Sequence, residues 1–170
     1  MGAADFTAYQ DGTDVDQAFR DAVDAARCEY GSRSYTGTIA EKDDYQVVTD
    51  TPLTMEAAED LAGRIMSAAD HPSRDKRGPA CAIPVLTDRR SVTVIVPFTP
   101  QGYKTLEEAA LAILTGDGGL LPGETIGYCI TGRYQPCPQN GRIRSGRLNV
   151  PLQGSPLEHR GWLFFGTAPY

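Results

Sequence analysis

The chain has 170 residues, 41% of them apolar, which suits one globular domain (1–170) able to bury a core without staples. Its apolar runs, at most six residues long (109–114), fall far short of the roughly 20 residues of a membrane span, and residues 1–6 lack the basic start and apolar centre of a signal peptide. With neither feature, a cytoplasmic protein without a membrane partner is expected, and a formal net charge of −6 argues against broad nucleic-acid affinity.

Residues 1–12 are polar and are expected to form a loose segment. Asp14-x-x-Gln17 resembles a capping box and opens a helix. Val15, Phe19, Ala22, Val23, Ala26 and Tyr30 recur at helical spacing, and Gly31 is placed to end it. Residues 35–40, rich in β-branched side chains, read as a short strand with a bulge or a close backbone approach at Gly37. A turn at 41–44 leads to a second strand at 45–49. Thr54 caps a second helix whose apolar stripe is Met55, Ala58, Leu61, Ala62, Ile65, Met66 and Ala69. Pro72 forbids its continuation.

Residues 80–86 and 91–98 read as a hairpin around 87–90, with Pro84 placing the first strand at an edge or bulge and 92–96 suited to the sheet centre. Thr105-Leu-Glu-Glu108 is a second capping box and opens a third helix, which ends in the glycines at 116–119. One long strand is expected at 125–134, a short one at 147–150 and the last at 162–167. This order predicts an α+β fold: a mixed, largely antiparallel sheet of five to seven strands with about three helices on one face.

Charge is unevenly spread. Residues 1–60 hold fourteen acids and four bases, whereas 61–170 hold eight acids and twelve bases. Such asymmetry speaks to partners rather than to fold. Thirteen of the sixteen bases are Arg, whose planar fork matches phosphate and carboxylate. The turn after the first helix concentrates Arg33, Tyr35, Thr36, Thr38 and Lys42, and is the candidate binding surface. Arg74, Lys76 and Arg77 fill one loop, Arg89 a turn, and Arg142, Arg144 and Arg147 another segment. If these loops gather, they form a cationic rim for a host protein or a nucleotide-like, phosphate-bearing ligand.

Catalytic signals are thin. His71 and His159 are the only histidines and, with Glu41, the only general-base candidates singled out. The segment 115–123 is glycine-rich but follows a helix and lacks the phosphate-loop lysine, so it reads as a helix stop. The four cysteines form no C-x-x-C pair, and no metal or cofactor is expected. A Cys129–Cys137 bridge and free thiols are both compatible with the spacing.

Three blocks, Gly-Ser-Arg-Ser-Tyr35-Thr-Gly-Thr-Ile-Ala-Glu-Lys42, Lys76-Arg-Gly-Pro-Ala-Cys-Ala-Ile-Pro84 and His159-Arg-Gly-Trp-Leu-Phe-Phe-Gly166, resemble segments of uncharacterised small proteins encoded by actinobacteria and their phages. The resemblance implies a bacterial or phage accessory role inside the cell and transfers no catalytic residue. The expectation is a non-enzymatic binding protein. An enzyme acting on a nucleotide or phosphoester, and an assembly subunit pairing through 162–165, are the alternatives.

Overall fold

A computed structural model describes residues 2–31, 34–68 and 70–170; Arg33 and Ala69, named above, lie outside them. In chain order the elements are β1 (Ala3–Asp11), α1 (Val15–Tyr30), β2 (Tyr45–Val47), β3 (Leu53–Thr54), α2 (Met55–Ser67), β4 (Ala80–Thr87), β5 (Arg90–Val96), α3 (Leu106–Gly116), β6 (Thr125–Ile126), β7 (Thr131–Pro136), β8 (Ile143–Gln153) and β9 (Glu158–Pro169). They form two compact units, Met1–Thr87 with Leu157–Tyr170, and Asp88–Pro156. The fold is α+β, with three helices and mixed, mostly antiparallel sheets.

The first unit holds a five-stranded sheet ordered β1-β9-β4-β2, with β3 also on β4. β1 and β9, and β9 and β4, run antiparallel, while β2 and β3 lie parallel to β4. The segment expected to be loose is therefore a nine-residue strand. Its polarity hid a period of two, with Phe6 and Ala8 turned to one face and Tyr9 to the other.

Both faces of this sheet are covered. α1 packs with Phe19, Ala22 and Val23 against Ala80, Ala82, Trp162 and Phe164, whereas α2 packs with Ala58 and Ala62 against Cys81, Ile83, Val85, Leu163 and Phe165. The two helices thus do not share a face. β4 supplies small residues toward the bulky α1 side and larger ones toward the alanine-lined α2 side, so volumes complement across each layer. Phe19, Tyr45 and Phe164 meet at ring separations of 5.1, 5.6 and 6.2 Å. Each fully buried aromatic contributes about 2 kcal/mol or more from area alone.

Pro84 sits inside this central strand, not at an edge. β2 pairs with 80–82 and β3 with 85–86, so the parallel neighbour is interrupted opposite the proline. The ladder leaves a gap at a residue with no N–H to donate. A bulge follows between Val85 and Leu86.

The second unit holds a four-stranded sheet with β8 at its centre, flanked by β5 on one side and by β6 and β7 on the other. α3 covers one face with Ala109, Ala110 and Leu114 on Val94, Val96, Leu148, Val150 and Leu152. Three expectations change here. β4 and β5 belong to different sheets and form no hairpin. β5 is an edge strand whose Ser91, Thr93 and Ile95 are exposed, and the centre is β8, which extends the short strand expected at 147–150. The single strand expected at 125–134 is two, β6 and β7, separated where Cys129 adopts φ 67°. That conformation leaves the extended region.

The three helix starts are those the caps announce. Asp14 accepts from Gln17 N at 2.7 Å, Thr54 from Ala57 N at 3.3 Å and Thr105 from Glu108 N at 3.0 Å.

Candidate functional site

The turn after α1 is built differently from the strand expected at 35–40. Gly31 closes α1 at φ 82°, and Tyr35 and Gly37 take φ of 70° and 71°, which no strand accommodates. Thr38 Oγ1 accepts from Ala40 N at 3.3 Å and so caps a 3-10 turn, Ile39–Glu41. Glu41 Oε1 takes Thr36 N and Thr36 Oγ1, both at 3.1 Å, and the Thr36 and Thr38 hydroxyls meet at 2.9 Å. The close approach expected at Gly37 is real. Its N–H donates to Pro169 O at 2.9 Å, and a Cβ there would lie 3.2 Å from the Cβ atoms of Ala4 and Tyr170. Tyr35 is 53% exposed.

Lys42, expected at the binding surface, is buried instead, with 2% exposure. Its ammonium donates to the carbonyls of Asp75, Lys76 and Gly78 at 3.1, 3.3 and 2.8 Å. It ties the loop at 71–78 to the turn. Burial pushes its pKa below the ordinary 10.5, and Asp75 opposes that shift. Arg74 and Arg77 are exposed on the same loop, and the Lys76 backbone is committed to Lys42.

A groove of about 500 Å³ runs between α1 and β1 and ends at the turn. Its wall on the helix is Ala22, Ala25, Ala26, Glu29 and Tyr30; its floor is residues 5–10 of β1; its end is 37–39. A second groove of about 250 Å³ lies along β1 beside α2, between Asp5, Phe6, Thr7 and Glu59, Ala62, Gly63, Met66. Of the expected turn residues that are described, only Thr38 lines the larger groove directly, while Thr36 and Glu41 brace it. Small side chains and acids dominate both grooves. Neither lining includes Lys or Arg among the described residues.

The remaining candidate arginines, Arg89, Arg142, Arg144 and Arg147, belong to the second unit. Arg142 donates from Nε to Gln101 O at 2.8 Å and from Nη2 to Gly102 O at 3.0 Å, so it clamps a turn. Arg144 is half-buried, its Nε without a hydrogen-bond partner among the described residues, and Arg89 is exposed. Arg147 is exposed on the face of the four-stranded sheet opposite α3. Directly across from it stand Ile95 on β5 and Arg133 on β7, and Thr93, Asn149 and Thr131 form the next row. No acid occurs in β5, β7 or β8. Sequence reading passed over Arg133, because one long strand at 125–134 conceals which residue faces Arg147.

The general-base candidates are each engaged by close neighbours. His71 Nδ1 meets Ser73 Oγ at 2.9 Å and accepts from Ser73 N at 3.2 Å. His159 lies edge-on to Trp162 with centroids 5.1 Å apart, and Glu41 is taken by Thr36. All four cysteines are free thiols, with Cys28 and Cys129 exposed and Cys81 and Cys137 buried. No helix among the described residues is long and apolar enough to cross a membrane.

No family model matches the chain, and no curated protein or solved structure matches it.

Proposed function

We propose that the protein is a non-enzymatic binding protein that engages a partner protein in the groove between α1 and β1. The observation that carries this reading is the groove itself. It is about 500 Å³, with a helix wall mostly of alanine, a floor that mixes apolar and polar side chains, and the acids Asp5 and Glu29 in its lining, and it adjoins the turn built on Thr36, Thr38 and Glu41. The intracellular accessory role implied by the resemblance belongs to the same proposal. A photo-crosslinker at Ala25 is expected to capture a defined partner in host cells, and one at the exposed Leu111 of α3 is not. Ala25→Trp, which fills the groove from an exposed helix position, is expected to weaken the captured partner at least tenfold. Equal capture at Leu111, or unaltered affinity of Ala25→Trp, removes the proposal.

A second reading, a phosphate-bearing ligand, is supported by the Arg133–Arg147 pair. Like charges directly opposite on a sheet repel, and no acid in the three strands compensates them. An anion bridging the two guanidinium groups relieves that repulsion. Calorimetric binding of pyrophosphate is expected to be lost in Arg147→Glu and to weaken with added salt. Wild-type affinity in Arg147→Glu excludes this reading.

A further inference from the structure

β1 ends the five-stranded sheet, and its ladder to β9 fixes which backbone groups remain unpaired. Gly2 N donates to Tyr170 O at 3.1 Å and Gly12 N to Arg160 O at 2.8 Å. These bonds bracket the strand at even positions in an unbroken register. Antiparallel pairs alternate between bonded and non-bonded residues, so positions 4, 6, 8 and 10 bond to β9. The N–H and C=O of Ala3, Asp5, Thr7 and Tyr9 point to the open edge, where no group among the described residues pairs with them.

Edge strands are normally guarded by brevity, a bulge, a proline or a lysine. β1 has none of these: it runs nine residues without a register shift, and its sequence is AADFTAYQD. It also has a groove along each face, one under α1 and one under α2. A strand laid on this edge alternates its side chains between the two grooves, where Ala25, Ala26, Ala62 and Gly63 leave room. We infer that β1 accepts an extended segment of the partner as a sixth strand, and that this segment carries Lys or Arg at alternating positions. The charge follows from the grooves: Asp5 lines both, with Glu29 in one and Glu59 in the other, and no base among the described residues lines either, so cations at alternating positions meet acid whichever groove they enter. A second copy of β1 fits poorly, since it brings Asp5 and Asp11 toward the same acids. The inference rests on the groove reading above and adds the mode and chemistry of docking.

The test uses a fluorescent nine-residue peptide of alternating Lys and Val, its Glu–Val counterpart, and amide exchange followed by NMR on the full chain. The Lys peptide is expected to bind, weaken with salt and slow exchange at Asp5, Thr7 and Tyr9 while leaving Phe6 and Ala8 unchanged. Thr7→Pro deletes one outward N–H without touching the β9 ladder and is expected to reduce binding at least tenfold; Thr7→Ala is expected to bind as wild type. Binding lost in Ala25→Trp but unaffected by Thr7→Pro, without protection at odd positions, overturns strand addition and leaves the groove reading standing. Equal binding of the Glu peptide overturns the assigned charge. Absence of Lys-peptide binding at millimolar concentration, or a dimer dissolved by Thr7→Pro, overturns the proposal.

Discussion

Lys42→Met is expected to destabilise the first unit by about 3 kcal/mol, read from denaturant unfolding followed by the fluorescence of Trp162, the sole tryptophan. Methionine fills the space of the aliphatic stem but donates nothing. The carbonyls of Lys76 and Gly78 then lose their donor, while Asp75 O keeps the Gly78 N–H. Each buried group left unpaired costs about 1–3 kcal/mol. The sum is reduced because the variant no longer carries a desolvated ammonium. Amide exchange at 75–78 is expected to accelerate more than exchange in β4, because the loop loses its only described anchor to Lys42. The pH dependence has a defined sign. The folded-state pKa lies below 10.5, so between the two values the unfolded chain binds the proton more strongly and wild-type stability rises with pH. Lys42→Met lacks that rise. Stability of the variant within 0.5 kcal/mol of wild type, a difference well below the cost of one orphaned carbonyl, shows that the three bonds are not what holds the loop.

The helices were legible because capping is local. Asp14, Thr54 and Thr105 each act on an amide three residues away, and Gly31 needs only its own freedom to reach φ 82°. Strand partners are not local. β4 follows the α2 segment and precedes β5 by a short turn, yet it bonds to β9 more than seventy residues later. Its uninterrupted buried run, residues 80–85, carries the mark of a strand covered on both faces, and that mark excluded a surface hairpin. β1 was hidden by composition. Asp5, Thr7 and Tyr9 made the segment look solvated, although an edge strand between two grooves exposes much of one parity.

The position of the turn after α1 was legible, and the directions its side chains take were not. The stretch from Glu29 to Lys42 does close the larger groove, through Glu29, Tyr30 and Thr38. Lys42, however, turns inward, since a cation's sequence position says nothing of whether three carbonyls wait for it. Arg142 is likewise spent on the carbonyls of Gln101 and Gly102. Counting arginines along the chain therefore overstated the cationic surface available to a ligand. Arg74, Arg77, Arg89 and Arg147 remain exposed, and the structure adds two features that chain order hid: the groove with acids in its lining, and the Arg133–Arg147 row on the second sheet.

Glu124→Gln is the counterpart prediction in the second unit. The Glu124 side chain is fully buried and accepts from Arg90 Nε at 2.6 Å, Arg90 Nη2 at 2.7 Å and Leu121 N at 2.7 Å, and from the Ser155 hydroxyl. Arg90 Nη2 also donates to Gly119 O at 2.7 Å, so one ion pair joins the start of β5, the 119–124 loop and Ser155. The hydrogen bond from Arg90 holds the carboxyl well below its ordinary range, at about 2, against burial, which acts in the opposite direction. Replacing one member of a buried pair leaves the other charge uncompensated, and a loss of about 3 kcal/mol is expected at pH 7. The folded-state pKa is depressed, so the stabilisation is present above the unfolded value of 4.5 and is lost as pH falls from there toward 2. Wild type and Glu124→Gln, compared by urea unfolding with amide exchange in β8 as the local reporter, are expected to differ most at pH 7, to draw together as pH falls from 4.5, and to converge only below pH 2. A constant difference across that range shows that packing, and not the ionised carboxylate, accounts for the role of Glu124. Arg90→Met is expected to destabilise more than Glu124→Gln, because the carboxylate, although still bonded to Ser155 and Leu121, then lies buried without a countercharge, whereas in Glu124→Gln the guanidinium keeps Gly119 O and the amide oxygen as acceptors.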